Sequence, residues 1–304
     1  NVKLPYRIRY NVSFNYARSS SEHRFYGKTC NAFSFSKNDW AYRYEDLSKL
    51  KLTQTDRGTY RWTFQNNLSW DYTFAEKHDL TVLAGFEAMY SNTSNFKAQK
   101  TGFAQDKLVE FDTATTVTSI DGTQTDFATA SFFGRLTYAY DNRYLFETNL
   151  RYDGSSRFAR KSRWSIFPSV SAGWRISEEP FFGNAKDLVD NLKLRASFGS
   201  LGNQNVSSYY TYMRLITNKD FSNYTFDGSI KGKYSSLGAP VASDLTWETA
   251  QQWDLGLDLT MLNNRLNFTG DVYIRDTKDM LTTSLTLPDV FGAPSPKENC
   301  ADLR

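Results

Sequence analysis

The densest recognition chemistry in this chain lies between positions 203 and 212. The side-chain amides of Asn203, Gln204 and Asn205 can each donate and accept hydrogen bonds, and Tyr209, Tyr210 and Tyr212 offer flat apolar faces to the C–H groups of a ligand. Such a set suits binding of a ligand and not a reaction. Trp40, Tyr42, Tyr44, Tyr224 and Tyr234 extend the same chemistry through other loop-like sequence. A structural reading stands beside it: Asn and Gln tracts hold loops together, and Tyr and Trp are ordinary at membrane–water interfaces.

Catalysis finds little footing. Glu178 and Glu179 fall in turn-like sequence, Asp254 and Asp258 fit one face of a strand without any reaction, and neither His23 nor His78 stands beside a nucleophile motif. No glycine-rich phosphate loop, H-E-x-x-H or G-x-S-x-G occurs. Cys30 and Cys300 lie far apart in regions read as long loops; they make a weak case for a disulfide and show no metal-ligand spacing. The residues therefore call for no enzyme, cofactor or metal. A net charge of only +3, spread along the chain, argues against nucleic acid as a partner.

The elements that must present these residues show in the alternation of side chains. From position 4 to 16, Leu4, Tyr6, Ile8, Tyr10, Val12, Phe14 and Tyr16 alternate with residues that include Arg7, Arg9, Asn11, Ser13 and Asn15. This is a strand with one face in oil and the other in water. The same reading predicts nine strands, over residues 4–16, 57–74, 79–90, 127–140, 143–153, 163–176, 191–201, 245–261 and 265–277. Most exceed the roughly 9 to 11 residues that cross a bilayer at a tilt.

Composition agrees. The chain is 16% aromatic, yet its mean hydropathy is −0.57. A transmembrane β-barrel reconciles the two, because half of each strand faces a wet lumen while aromatics gather at the lipid interfaces. No run approaches the roughly 20 apolar residues of a membrane helix. The fold class expected is thus all-β, a segment of an antiparallel transmembrane barrel.

The connections alternate in length. Residues 75–78, 141–142 and 262–264 are tight and carry Asn and Asp, whereas 18–56, 91–126, 202–244 and the tail after 278 are long. Residues 154–162 are intermediate and fall on the long-loop side. Outer-membrane barrels place short turns in the periplasm and long loops outside, so the odd-numbered strands run outward. The connection 177–190, with Pro180, Phe181, Phe182, Leu188 and Val189, reads as an amphipathic helical turn tucked under the wall.

Nine strands cannot close an antiparallel barrel, and two unpaired edges are not tolerated in hydrocarbon. The chain opens on Asn1 in mid-pattern and stops at Arg304 after a polar stretch, so it reads as an internal piece of a longer exported protein. At roughly 34 residues per strand, a wall of about 22 strands takes on the order of 700 residues.

Three segments resemble the SusC/RagA family of TonB-dependent outer-membrane transporters. They are residues 152–182, with YDGSSRFARKSRWSIFPSVSAGWRISEEPFF; 197–212, with SFGSLGNQNVSSYYTY; and 245–281, with LTWETAQQWDLGLDLTMLNNRLNFTGDVYIRDTKDML. In the last, Leu245, Trp247, Trp253, Leu255, Leu257, Leu259 and Met261 share one parity and are expected to face lipid. In the first, Arg157, Arg160, Lys161 and Arg163 are expected to place charge at a loop rim.

The resemblance implies a barrel of about 22 strands, with a plug and N-terminal extension outside this chain. It further implies energising by TonB–ExbB–ExbD through the missing N-terminal part, and a SusD-like surface lipoprotein over an oligosaccharide or peptide ligand. Glycan uptake is the first expectation; uptake of peptides or of siderophore or cobalamin complexes, and a non-transporting adhesin, are the alternatives. By parity Arg61, Asp71, Glu87, Arg135, Glu147, Arg151, Lys193, Arg195, Glu248, Asp254, Asp258, Asp271 and Arg275 point into the lumen, either as a salt-bridged wall or as contacts to the plug.

The lipid face is directly testable. Ile8→Arg or Val12→Arg in the full-length protein is expected to cost roughly 2 to 4 kcal/mol near the bilayer midplane and to impair assembly, read from the amount of folded barrel in isolated outer membranes. Normal assembly of both variants contradicts the assignment.

Overall fold

Alternating side chains settle into two clean faces only if neighbouring strands keep register, and register is the dominant fact of the structure. The computed structural model describes residues 2–27, 32–35, 39–42, 50–105, 107–206, 209–226, 230–242, 245–283, 288, 290, 292 and 295–304. Its strands are β1 (Val2–Leu4), β2 (Ile8–Gly27), β3 (Ala32–Ser34), β4 (Asp39–Tyr42), β5 (Lys51–Phe74), β6 (His78–Phe103), β7 (Ala114–Tyr140) and β8 (Tyr144–Ser155). They continue with β9 (Trp164–Arg175), β10 (Val189–Asn203), β11 (Ile216–Phe226), β12 (Ile230–Leu237), β13 (Glu248–Met261), β14 (Leu266–Thr283) and β15 (Lys297–Leu303). Eleven of them form one sheet in the order β1-β2-β5-β6-β7-β8-β9-β10-β13-β14-β15; β3-β4 and β11-β12 are separate two-stranded pieces. β1 and β15 are the two ends of the sheet, so the barrel is not closed.

The chain divides into two compact units. The first comprises residues 1–14, 63–89 and 128–304. Its apolar face runs across β8 to β14 in register: Tyr144 opposite Trp174, Trp174 opposite Leu194, Leu194 opposite Leu257 and Phe198 opposite Trp253, Trp253 opposite Ile274 and Leu255 opposite Val272. These side chains are open to their surroundings, with Val272 74% and Leu255 54% exposed. So large an apolar surface would aggregate in water and is at home in a bilayer.

The second unit comprises residues 15–62 and 90–127. It has its own core, in which Leu50, Leu52, Phe103 and Ala114 are buried against Tyr26, Val109 and Phe111. Its existence corrects the long loops expected at 18–56 and 91–126. β2, β5, β6 and β7 are 20, 24, 26 and 27 residues long, and only 104–113 remain between β6 and β7. Stretches such as TVTSIDGTQT keep strand-forming residues but lose strict alternation.

Other expectations need correction. The strand predicted at 4–16 is interrupted by a 3-10 turn at Pro5–Arg7, after which β2 begins. Pro5 has no N–H to give to a ladder, and Arg7 takes a left-handed φ of 64°, so β1 folds back on β2 with Leu4 opposite Ile8. The loop expected at 202–244 contains the β11–β12 hairpin, and the tail contains β15, where Cys300 lies exposed. Cys30 and Tyr44 lie outside the described residues, as do the side chains of Trp40, Tyr42 and Tyr224. The tight turns are as expected: Asp141 and Asn142 both take positive φ, as do Leu262, Asn263 and Asn264.

The connection after β9 is two 3-10 segments, Ile176–Glu178 and Pro180–Ala185, in place of one amphipathic turn. Phe181 and Leu188 are 70% and 52% exposed, while Phe182 and Val189 are half-buried, so only part of the expected apolar face is covered. A buried carboxylate also ties the turn. Glu179 accepts from the Tyr144 hydroxyl at 2.6 Å, the Trp174 indole at 3.0 Å and the Arg143 guanidinium at 3.3 Å. Those donors, the Tyr144 bond first and then Trp174, outweigh burial and hold the Glu179 carboxyl below the usual carboxylate range.

A carboxyl depressed on folding stabilises the turn at every pH above its unfolded value of about 4.3, and that contribution is lost as pH falls through the lower, folded value. In the detergent-solubilised full-length protein, intrinsic-rate-corrected hydrogen-exchange protection of residues 176–185 is therefore expected to be flat from neutral pH to about 5 and to fall only below about 4. Glu179→Gln is expected to lose that protection at neutral pH.

Candidate functional site

The opposite face of the first unit is polar, and much of it is paired. Arg135 meets Glu147 at 2.6 Å, Arg151 meets Asp153 at 3.1 Å, and Arg9 pairs with Asp71. Arg195 reaches both Asp258 and Asp271 at 2.9 Å. A side chain at position 256 would have to displace the Asp271 carboxylate and the Arg195 guanidinium, so the glycine in the middle of β13 leaves room for this ion pair. The salt-bridged wall thus accounts for most of these predicted lumen charges. Between the pairs a hollow of about 570 Å³ is lined by Asn149, Ser169, Ser171, Ser197, Gln252 and Arg275, among others.

At the outer end of β10 the structure sorts the six predicted ligand residues. Asn203 donates to Glu248 at 2.7 Å, and its side-chain oxygen accepts from the Asn205 backbone at 2.9 Å, an Asx turn. Gln204 offers its backbone carbonyl to Arg157 at 2.7 Å and to the Val206 N–H at 2.9 Å. The ring of Tyr209 lies 5.0 Å from the Arg157 guanidinium. Asn205 and Tyr210 line a cleft of about 800 Å³, together with Thr211, Met213, Glu248 and Lys297. Tyr212 is half-buried and not part of that lining. Of the outlying aromatics, Tyr234 sits in β12.

Two corrections follow from the packing beneath this segment. Leu245 and Trp247 precede β13 and do not face lipid: they are 3% and 5% exposed and form one cluster with Phe158 and Phe167. The Trp247 indole donates to the Arg163 carbonyl at 3.0 Å. Parity fails here because it holds only along a regular strand, and β13 starts at Glu248. Arg157 is not a free rim charge either, for its side chain turns inward and is half-buried, unlike exposed Arg160 and Lys161. A side chain at Gly202 would strike the Phe167 ring, so the glycine before Asn203 is a packing requirement.

Sequence reasoning missed Phe158, which is fully buried, and the bridging role of Glu248, which also accepts from the Leu281 N–H at 2.8 Å. A lone aromatic in a polar Gly-Ser-Arg loop was the available signal for Phe158. No groups of His, Cys, Asp or Glu suited to a metal ion occur among the described residues.

An antiparallel wall with one lipid-soluble face, one charged face and tight turns at one end defines part of a transmembrane β-barrel of the bacterial outer membrane. The family model for TonB dependent receptor-like β-barrels matches residues 3–299, and the chain belongs to that family, within its SusC/RagA group. It is similar to TonB-dependent receptor SusC of Bacteroides thetaiotaomicron, 41% identical over 167 residues, covering 53% of this chain and 16% of SusC. TonB-dependent receptor P26 of Formosa agariphila is 33% identical over 247 residues, covering 80% of this chain and 24% of P26. Solved structures of the RagAB peptide transporter share the fold at a TM-score of 0.75 and 26% identity, over 97% of this chain and 30% of theirs. The chain thus spans about a quarter or less of the length of these curated relatives.

Proposed function

We propose that this chain is part of the barrel wall of a TonB-dependent importer of bulky organic nutrients, with an oligosaccharide as its cargo. In this reading the plug, the N-terminal extension and the remaining strands belong to the rest of a longer protein. TonB–ExbB–ExbD energises it through that N-terminal part, and a SusD-like surface lipoprotein presents the ligand at the outer mouth. The observation that supports the reading is the mixed lining of the hollow, where the hydroxyls of Ser169, Ser171 and Ser197 and the amides of Asn149 and Gln252 stand beside the rings of Phe167 and Phe198, hydrogen-bonding and apolar groups together as a sugar ring requires. The likeness to SusC supports the class of transporter.

A second reading, peptide import, has its own support. The outer cleft is lined mainly by aliphatic side chains, among them Val206, Leu215, Val241 and Leu281, with Glu248 and Lys297 offering opposite charges and Tyr210 as its aromatic. Such walls suit peptide side chains and main-chain ends better than sugar rings, and the RagAB relatives are peptide transporters.

The two separate in one experiment. Cells carrying the full-length gene and its lipoprotein partner are given a partial hydrolysate of mixed polysaccharides together with a tryptic digest of casein, and depletion of each is followed by mass spectrometry with and without TonB. TonB-dependent loss of oligosaccharides is the expected result. Loss of peptides alone transfers the assignment to the second reading, and loss independent of TonB contradicts both.

A further inference from the structure

Residues 156–163 form the connection between β8 and β9, shorter at its start than the 154–162 expected, and their fixed point is Phe158, wholly buried against Trp247 at a ring separation of 5.2 Å. Local bonds stiffen the backbone around it. The Phe158 N–H reaches the Ser155 carbonyl at 3.4 Å, the Arg157 N–H reaches the Ser155 hydroxyl at 3.3 Å, and the Ala128 N–H reaches the Ser156 hydroxyl at 3.0 Å. Arg157 is therefore presented from an anchored base.

From that base Arg157 makes three ties to the segment after β10. Its guanidinium lies over the Tyr209 ring at 5.0 Å, its Nη1 donates to the Gln204 carbonyl at 2.7 Å, and its own carbonyl accepts from the Thr211 hydroxyl at 2.5 Å. A planar guanidinium can face a ring and donate in its plane at once; an ammonium cannot hold both geometries. One face of Tyr209 and the main chain of Gln204 are thus engaged, while Asn205 and Tyr210 line the cleft.

We propose that Arg157 is a positioning residue, which sets the ligand-facing shape of residues 203–206 and 209–212 without touching the ligand. This rests on the reading of 203–212 as a ligand-binding segment. Three blocks that are separate in sequence, around Arg157 and Phe158, around Gln204 to Thr211, and around Trp247, act here as one latch.

The test uses the full-length protein in intact cells, with Arg157→Gln and Arg157→Lys. For accessibility, Asn205→Cys is introduced with all native cysteines replaced by serine, and labelling by a membrane-impermeant maleimide is timed without any ligand. For function, depletion of the same hydrolysate and casein digest is measured with Asn205 intact. Loss of the Arg157 contacts is expected to change the labelling rate by about threefold or more. It is also expected to raise the half-saturation concentration for whichever fraction is imported, leaving the maximal rate per barrel unchanged; lysine restores only part of each effect.

Should Arg157→Gln fail to assemble, Thr211→Val and Tyr209→Leu each remove one tie and are expected to shift both readouts in the same direction, by less. Unchanged labelling and unchanged half-saturation in an assembled variant overturn the proposal. A changed labelling rate with unchanged half-saturation supports the positioning role and overturns the reading of 203–212 as ligand-binding.

Discussion

Hydrocarbon offers no hydrogen bonds, and every backbone N–H and C=O within it must therefore find a partner on a neighbouring strand. This single constraint organises the molecule. It compels the long antiparallel ladder, unbroken for example where β13 pairs with β14 from Thr249 opposite Lys278 to Met261 opposite Leu266. With the ladder fixed, the period of two sends Trp253, Leu255 and Leu257 to one side and Gln252, Asp254 and Asp258 to the other. Ion pairs such as Arg195 with Asp258 and Asp271 can then cross neighbouring strands on the polar side, because register holds their partners within reach.

Where the constraint is lifted, structure is held by other means. The connection 156–163 and the segment just after β10 follow no ladder; burial of Phe158 among Phe167, Leu245 and Trp247 anchors them, and Arg157 and Glu248 supply the polar ties. The turn after β9 is likewise tied by one buried carboxylate, Glu179, bonded to Tyr144 and Trp174.

Legibility in the sequence follows the same division. The lipid face of β13 and β14, the turn at 262–264 and most lumen charges were readable, because each residue there obeys one period and one solvent on each side. Pro5 defeated the period at the start of the chain, where an alternation from Leu4 to Tyr16 runs straight through a turn. The extended ends of β6 and β7 were invisible for a different reason: alternation fades once membrane crossing no longer demands it. At the outer rim, composition pointed to Asn203–Tyr212, but Asn203 is engaged by Glu248 and Tyr209 and Thr211 by Arg157, partners that lie tens of residues away in the chain.

The central claim, that one face of this sheet is dissolved in lipid and the other lines a wet lumen, has a direct measurement. Nitroxide labels placed singly at positions 252–258 of β13 in the outer membrane report collisions with oxygen, which concentrates in lipid, and with a water-soluble nickel complex. Oxygen contact is expected to peak at positions 253, 255 and 257, and nickel contact at 252, 254 and 258. Equal access of the nickel complex to both sets would contradict the account and mark the strand as part of a sheet in water.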